Sequence, residues 1–203
     1  MTGRRPVAAF LAALEAEIEA TVERHSRVIL AFSGGLGSML VGMVARKRCD
    51  LLCVVAGAEG APDVLAARRA KAHFDYRIEV IALDRQEARR LDAELRQDRP
   101  ALSATERRRL LPIRAVLGRT RDRPILAGFA SLPSNPAFVA AIQRDQVQVP
   151  IHALRGRSAP RGTLQEAAMA LGLPETWARV RHRTPIAGAG IAEFLATRDS
   201  PRR

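Results

Sequence analysis

Residues 33–38 read Ser33-Gly34-Gly35-Leu36-Gly37-Ser38, directly after the apolar run Arg27-Val-Ile-Leu-Ala-Phe32 and just before a helical pattern that begins at Met39. A glycine-rich turn between a strand and a helix gathers backbone N–H groups and a helix N-terminus around one point, which is the chemistry of anion binding. Glycines let the main chain approach phosphate closely, and Ser38 is placed to cap the helix or to donate its hydroxyl. The turn therefore reads as a phosphate cradle, against the plainer alternative of a simple strand-to-helix turn. It is not a Walker A loop, because no Gly-Lys-Ser/Thr follows. Nor is it a clean dinucleotide fingerprint: the pattern from Gly35 and Gly37 closes on Leu40 where Gly or Ala belongs, although Glu59 lies near the place of a ribose-binding acid.

The elements that would hold this turn are readable around it. Residues 51–56 form a second continuous apolar run, ending in Gly57-Ala-Glu59-Gly60, and a helical pattern over 63–74 starts at Asp63. A third strand is expected over 76–83 and a fourth over 124–128. Between them, residues 84–118 are helical and heavily charged, with Arg107-Arg108-Arg109 in the second half. Strands alternating with helices predict a doubly wound parallel sheet covered on both faces, an α/β fold. Beyond Pro133, prolines at 136, 150, 160, 174 and 185 punctuate short helical stretches. The expected organisation is a nucleotide-binding α/β domain over 1–132 and a small helical C-terminal appendage over 133–203. At the other end, Val7, Phe10, Leu11, Leu14, Ile18 and Val22 fall at helical spacing. Arg4-Arg5 ahead of that apolar stretch resembles a short export signal, but Glu15, Glu17 and Glu19 follow at once and favour an amphipathic helix.

With 203 residues, 47% apolar and 27% charged, and a mean hydropathy of -0.08, the chain is neither disordered, collagenous nor a coiled coil as a whole. No apolar run reaches the roughly 18 residues that span a bilayer. Cys49 and Cys53 cannot build a disulfide framework or a zinc site by themselves, which makes a reducing cytoplasm the expected compartment. His25, His73, His152 and His182 lack metal-ligand spacing. The net charge of +12 suits a polyanion or RNA partner. Against that, only Lys47 and Lys71 are lysines and the arginines are scattered among alanines, a pattern that a GC-rich genome also produces. Arg155, Arg157, Arg161, Arg179, Arg181 and Arg183 either line a polyphosphate or RNA groove or are solvated surface residues. Aromatics are 4% with a single Trp177, which disfavours a base-stacking platform.

The stretch from Val28 to Ser38 resembles the pyrophosphate-binding loop of the PP-loop ATP pyrophosphatases, Ser-Gly-Gly-x-Asp-Ser, and within them the synthetase domain of asparagine synthetases. Residues 54–60 with Asp63 after them, Ile125-Leu-Ala-Gly128, and residues 164–174 leading to Gly188-Ala-Gly190 extend the resemblance. It implies an adenine nucleotide alpha hydrolase-like, Rossmann-like fold that binds ATP, adenylates a carboxylate, releases pyrophosphate and lets ammonia displace AMP. Ser33, Gly34, Gly35, Gly37, Ser38, Gly57 and Glu59 would then be the nucleotide- and phosphate-binding residues. Three departures stand out. Gly37 occupies the place of the loop aspartate, residues 129–135 lack the Asp-Glu pair that follows the fourth strand, and the family's lysine falls at His182 or Arg183. The expectation is an ATP- or AMP-binding domain, ligase-like in descent and reduced in catalysis, with no protein-held Mg²⁺ and with nitrogen from a separate glutaminase or free ammonia. The alternative is a non-catalytic nucleotide- or RNA-binding module on the same fold.

Overall fold

A computed structural model describes residues 4–119, 123–130, 132–154, 161–180 and 185–196. Its centre is β1 (Arg27–Ala31), whose Val28, Ile29 and Leu30 are buried, as a strand covered on both faces requires. Around it lie β2 (Asp50–Gly57), β3 (Ile78–Ala82), β4 (Ile125–Ala127) and β5 (Val147–Gln148) in the order β3-β2-β1-β4-β5. Every pairing is parallel, with Leu30 beside Cys53 on one side and Leu126 on the other. The order reverses between β1 and β4, and the carboxyl ends of these strands therefore frame the crevice where such sheets bind ligands.

The period-2 alternation of the central strands divides the core into two layers. Val28, Leu30, Phe32, Cys53 and Val55 pack with α1 (Arg4–Val22), α2 (Leu36–Ala45) and α3 (Pro62–Phe74). Ile29, Leu52, Val54, Ala56 and Ile125 pack with α4 (Arg85–Asp98), α5 (Ala104–Arg119) and α6 (Pro136–Arg144). The apolar stripe of α1 behaves as its spacing predicts, with Leu14 and Ile18 fully enclosed.

Local signals set the helix ends. Pro62 opens α3, and Asp75 closes it in the left-handed region at φ 52°. Asp84 caps α4 by accepting from Glu87 N at 2.8 Å. Ser103 and Glu106 form a reciprocal capping box on α5: the Ser103 N–H and Oγ both donate to Glu106 Oε2, at 2.9 and 2.8 Å, and Ser103 Oγ accepts from Glu106 N.

Three features depart from the sequence reading. The helical stretch expected over 84–118 is two helices, α4 and α5, parted around Pro100. The third strand is shorter than expected, Ile78–Ala82. The region expected to be purely helical contributes α6 and β5 to the sheet unit, and β5 escaped notice because two residues are too few to show a period. The remaining helices are α7 (Pro150–Ala153), α8 (Arg161–Ala170), α9 (Glu175–Ala178), α10 (Pro185–Gly188) and α11 (Ile191–Ala196). Of these, α8 supplies Leu164, Ala167 and Ala168 to the core that α1 and α2 share. Trp177 of α9 stacks on His73 at 5.6 Å and meets Phe74 edge-on at 5.0 Å, which fastens α9 to the end of α3. No described helix is long and apolar enough to cross a membrane.

Candidate functional site

The β1–α2 turn sits at the carboxyl end of the central strand, where Phe32 N still bonds to Val54 O of β2. Gly34 has φ 69°, and a Cβ there would stand 2.5 Å from the Ala66 Cβ of α3, so conformation and space both require glycine. The N-cap of α2 is Gly35, with φ -74° and ψ 158°, rather than Ser38. Ser38 works inside the turn. Its Oγ donates to Gly35 O at 2.9 Å, accepts from Ser33 N at 3.4 Å and lies 3.3 Å from Ser33 Oγ. These bonds fold residues 33–38 into a closed ring. Gly34, Gly35, Leu36 and Ser38 are buried, and Ser33 and Gly37 form its half-exposed rim.

At the start of α2, the N–H groups of Leu36, Gly37 and Ser38 have no acceptor within the helix, which leaves a local positive potential. The end of β4 closes on the same point. A Cβ at Gly37 would fall on the Gly128 carbonyl oxygen and 3.1 Å from its carbon, and a Cβ at Gly128 would lie 2.5 Å from Gly37 C. Gly128 thus covers the Ser38 side of the turn, and Ser33 and Gly37 remain its part-exposed rim. The position where the family resemblance places an aspartate is filled by the main chain of β4. Gly37 is therefore part of a close packing of two backbones as well as a missing carboxylate.

One carboxylate that the sequence reading did not count as a site residue stands beside the ring. Asp63 lies one helical turn before Ala66 on α3, and Ala66 is the residue that touches Gly34. It makes no hydrogen bond or ion pair among the described residues, and burial pushes its pKa up to about 7 from 3.8. Gly188 of α10 lies against that carboxyl, and a Cβ there would come within 2.6 Å of Asp63 Cγ and Oδ2. The neighbouring Ala189 carbonyl accepts from Ala58 N at 2.8 Å and covers Gly57, whose Cβ would stand 2.9 Å from the same oxygen. Gly57 thus lies buried beneath the Ala189 carbonyl, while Glu59 is exposed on the turn beyond it. His182 and Arg183 lie outside the described residues, as do Arg155, Arg157 and Arg181.

Beyond β4, Asn135 caps α6 by accepting from Ala137 N at 3.0 Å and donates Nδ2 to Glu106 Oε2 at 3.0 Å. This ties the segment after the fourth strand to the first turn of α5. The bonds from Ser103, with that from Asn135, hold the Glu106 carboxyl below its usual range. Gly37 and residues 129–135 offer no carboxylate, Asp63 is held toward its neutral form, and no group of three His, Cys, Asp or Glu side chains converges among the described residues. Cys53 is fully enclosed and its thiol is pushed up to about 12 by burial, as befits an inert core residue.

No family model matches the chain, and no curated protein matches it at a significant level. Among solved structures it is similar to the NMN synthetase from Francisella tularensis, at 9% identity and a TM-score of 0.56 over 92% of this chain and 77% of that one. It is also similar, at 19% identity and a TM-score of 0.44 over 70% of this chain and 74% of that one, to a predicted subunit of tRNA methyltransferase from Methanocaldococcus jannaschii. At 9% identity the likeness to the synthetase is one of fold: a five-stranded, all-parallel, Rossmann-like α/β sheet flanked by helices.

Proposed function

We propose that the chain binds the phosphate of an adenine nucleotide, ATP or AMP, at the rim of the β1–α2 turn, and does so without a protein-held metal. The observation that carries this reading is the glycine ring itself. Gly34 has a left-handed conformation pressed on α3, Ser33 and Ser38 close the turn through their hydroxyls, and the unfilled donors at the start of α2 sit at the topological switch point. A plain connection between a strand and a helix has no use for so many constraints at one place. Descent from an asparagine synthetase-like ligase is the finer form of the proposal, and it rests on the sequence resemblance.

Phosphoryl and nucleotidyl transfer need positive charge fixed where it builds on the phosphate oxygens, and carboxylate-bound metal normally supplies it. With Gly37 packed on Gly128 and Asp63 pushed toward neutrality, this site is suited to binding and poorly suited to releasing pyrophosphate. The test is a thermal-shift titration with ATP, AMP, pyrophosphate and adenosine, each in EDTA and in Mg²⁺. The phosphate-bearing species should stabilise the fold by about 2.7 kcal/mol at a hundredfold excess over Kd, with no requirement for Mg²⁺. Equal stabilisation by adenosine, or none by any phosphate species, would remove the reading.

The polyanion reading has a narrower base than the net charge suggests. Arg48, Arg77, Arg90, Arg96, Arg99, Arg107, Arg114 and Arg179 are all spent in ion pairs. Exposed Arg68, Arg69 and Lys71 on α3 keep their charge unpaired among the described residues. A gel-shift series with tRNA and heparin over rising salt separates specific RNA binding, which should retain tRNA longer, from general polyanion adhesion.

A further inference from the structure

The sheet ends differently at its two edges. β5 is two residues long and offers little backbone to a partner, whereas β3 is a five-residue strand, Ile78-Glu-Val-Ile-Ala82, with neither proline nor lysine in it. Those residues, bulges or a covering element are how folds guard an open edge. The register fixes which backbone groups are open. Arg77 O accepts from Cys53 N at 2.9 Å and Leu83 N donates to Gly57 O at 2.9 Å, so the odd-numbered residues turn their amides to β2. Direction alternates along a strand, and the N–H and C=O of Ile78, Val80 and Ala82 therefore face outward. Among the described residues, none bonds to them there.

The two faces of this edge carry opposite charge. Val80 pairs in register with Val55, which packs in the layer of α3, so Val80 lies on the α3 face, where it is 38% exposed. α3 rests on β2 and β3, and its Ala66 meets Gly34 on the β1 side. At roughly 100° per residue, Arg68 and Lys71 stand about 200° and about 140° round the helix from Ala66, on the flank above the open edge. Both are exposed and unpaired among the described residues. The other face presents Glu79, which is also exposed.

These charges select the occupant. A second copy joined through the same edge about a two-fold axis would set the Arg68 and Lys71 flank of each α3 against its equal, and the two Glu79 carboxylates would share one face. Like charges so placed oppose pairing. A strand that carries carboxylates on the α3 face meets the opposite sign.

We propose that the outer edge of β3 receives an extended acidic segment of a partner protein as a sixth strand, its carboxylates against Arg68 and Lys71 and its uncharged or basic side chains beside Glu79. Main-chain bonds to Ile78, Val80 and Ala82 supply affinity, and the alternation of charge supplies selection. The site is separate from the glycine turn and stands or falls without it.

The test is fluorescence anisotropy of the full chain with a labelled peptide of alternating Glu and Thr. Its counterparts are a peptide of alternating Lys and Thr, and one with the same Glu and Thr content but all Glu in one block. The alternating acidic peptide should bind at least tenfold tighter than either. Val80→Pro removes an outward N–H that β2 does not use, a place where an edge strand accepts proline, and should lose at least tenfold. Arg68→Glu with Lys71→Glu should reverse the preference between the Glu and Lys peptides. Equal binding of the block peptide, as a surface that merely collects polyanions such as RNA would show, overturns the proposal. So does Val80→Pro binding within twofold of the parent, no binding of any peptide, or a parent chain that sediments as a dimer and becomes monomeric in Val80→Pro. Should Val80→Pro fail to fold, the parent decides with peptides N-methylated at all Glu or at all Thr amides: tenfold loss in one of the two supports strand addition, and binding within twofold by both refutes it.

Discussion

Restoring an aspartate at position 37 is the obvious repair if the turn is a worn PP-loop, and the structure argues that it fails for a steric reason. A Cβ at Gly37 lands on the Gly128 carbonyl oxygen, inside the 3.0 Å that real Cβ contacts essentially never cross, and stands 3.1 Å from the carbonyl carbon. Both offending atoms are backbone, so no side-chain rotation relieves them, and either the first turn of α2 or the end of β4 must shift. Overpacking of this kind costs about 1–3 kcal/mol, and the rigidity of both partners puts Gly37→Asp at about 3 kcal/mol. The carboxylate would add repulsion against the carbonyl oxygen it displaces. Urea denaturation followed by circular dichroism measures the loss, with Gly37→Ala as the control that carries the Cβ without the charge. Most of the loss should already be present in the alanine variant. Gly128→Ala should cost a similar amount, and the pair should cost less than the two singles together, because both strain one contact. Gly37→Asp within about 0.5 kcal/mol of the parent, or with newly Mg²⁺-dependent ATP binding, would refute the packing argument.

Gly34→Ala should cost about 2–3 kcal/mol, part from the left-handed backbone at φ 69° and part from the Ala66 contact, read as a fall in the urea midpoint. Asp63 holds a proton in the folded state from about pH 4 to its raised pKa of about 7, a range in which the unfolded chain has released it, so stability should fall as pH rises through that window. Asp63→Asn should flatten that slope and raise stability at pH 8 by on the order of 2 kcal/mol, and a parent chain whose stability is level from pH 4 to 8 would contradict the assignment. Glu106→Ala removes one half of a capping box and the acceptor of Asn135, and should cost about 1–2 kcal/mol in a thermal melt, whereas an unchanged melting temperature would mean the box contributes nothing.

The sheet was legible wherever strands are buried on both faces, because Val28 to Ala31 and Leu51 to Ala56 are continuous apolar runs that no surface helix would show. The glycine turn was legible for the same local reason: its residues are adjacent and its flanks change period. What the sequence could not display are properties created by distant contacts. Asp63 owes its raised pKa to burial in the fold, with Gly188 from far along the chain lying against it, and Gly37 owes its constraint to Gly128. Arg107, Arg108 and Arg109 form one charge run in sequence, and only the packing of α5 against α4 turns Arg107 to Asp92 and the Leu102 carbonyl. β5 is too short to carry a pattern, and its strand character comes entirely from pairing with β4.

The strand order also governs how the chain meets the ribosome. β1 is flanked by β2 and β4, and Ile29 pairs with Ile125, 96 residues later. At about 5–20 residues per second, the far edge of β1 waits on the order of 5–20 s for its partner to be synthesised. During that interval Val28, Ile29 and Leu30 present an apolar strand with one open row of amides and carbonyls to every other nascent chain nearby. Translation speed between α4 and β4, and the holding chaperones met on the way, should therefore influence the yield of native protein more than any single contact in the finished fold.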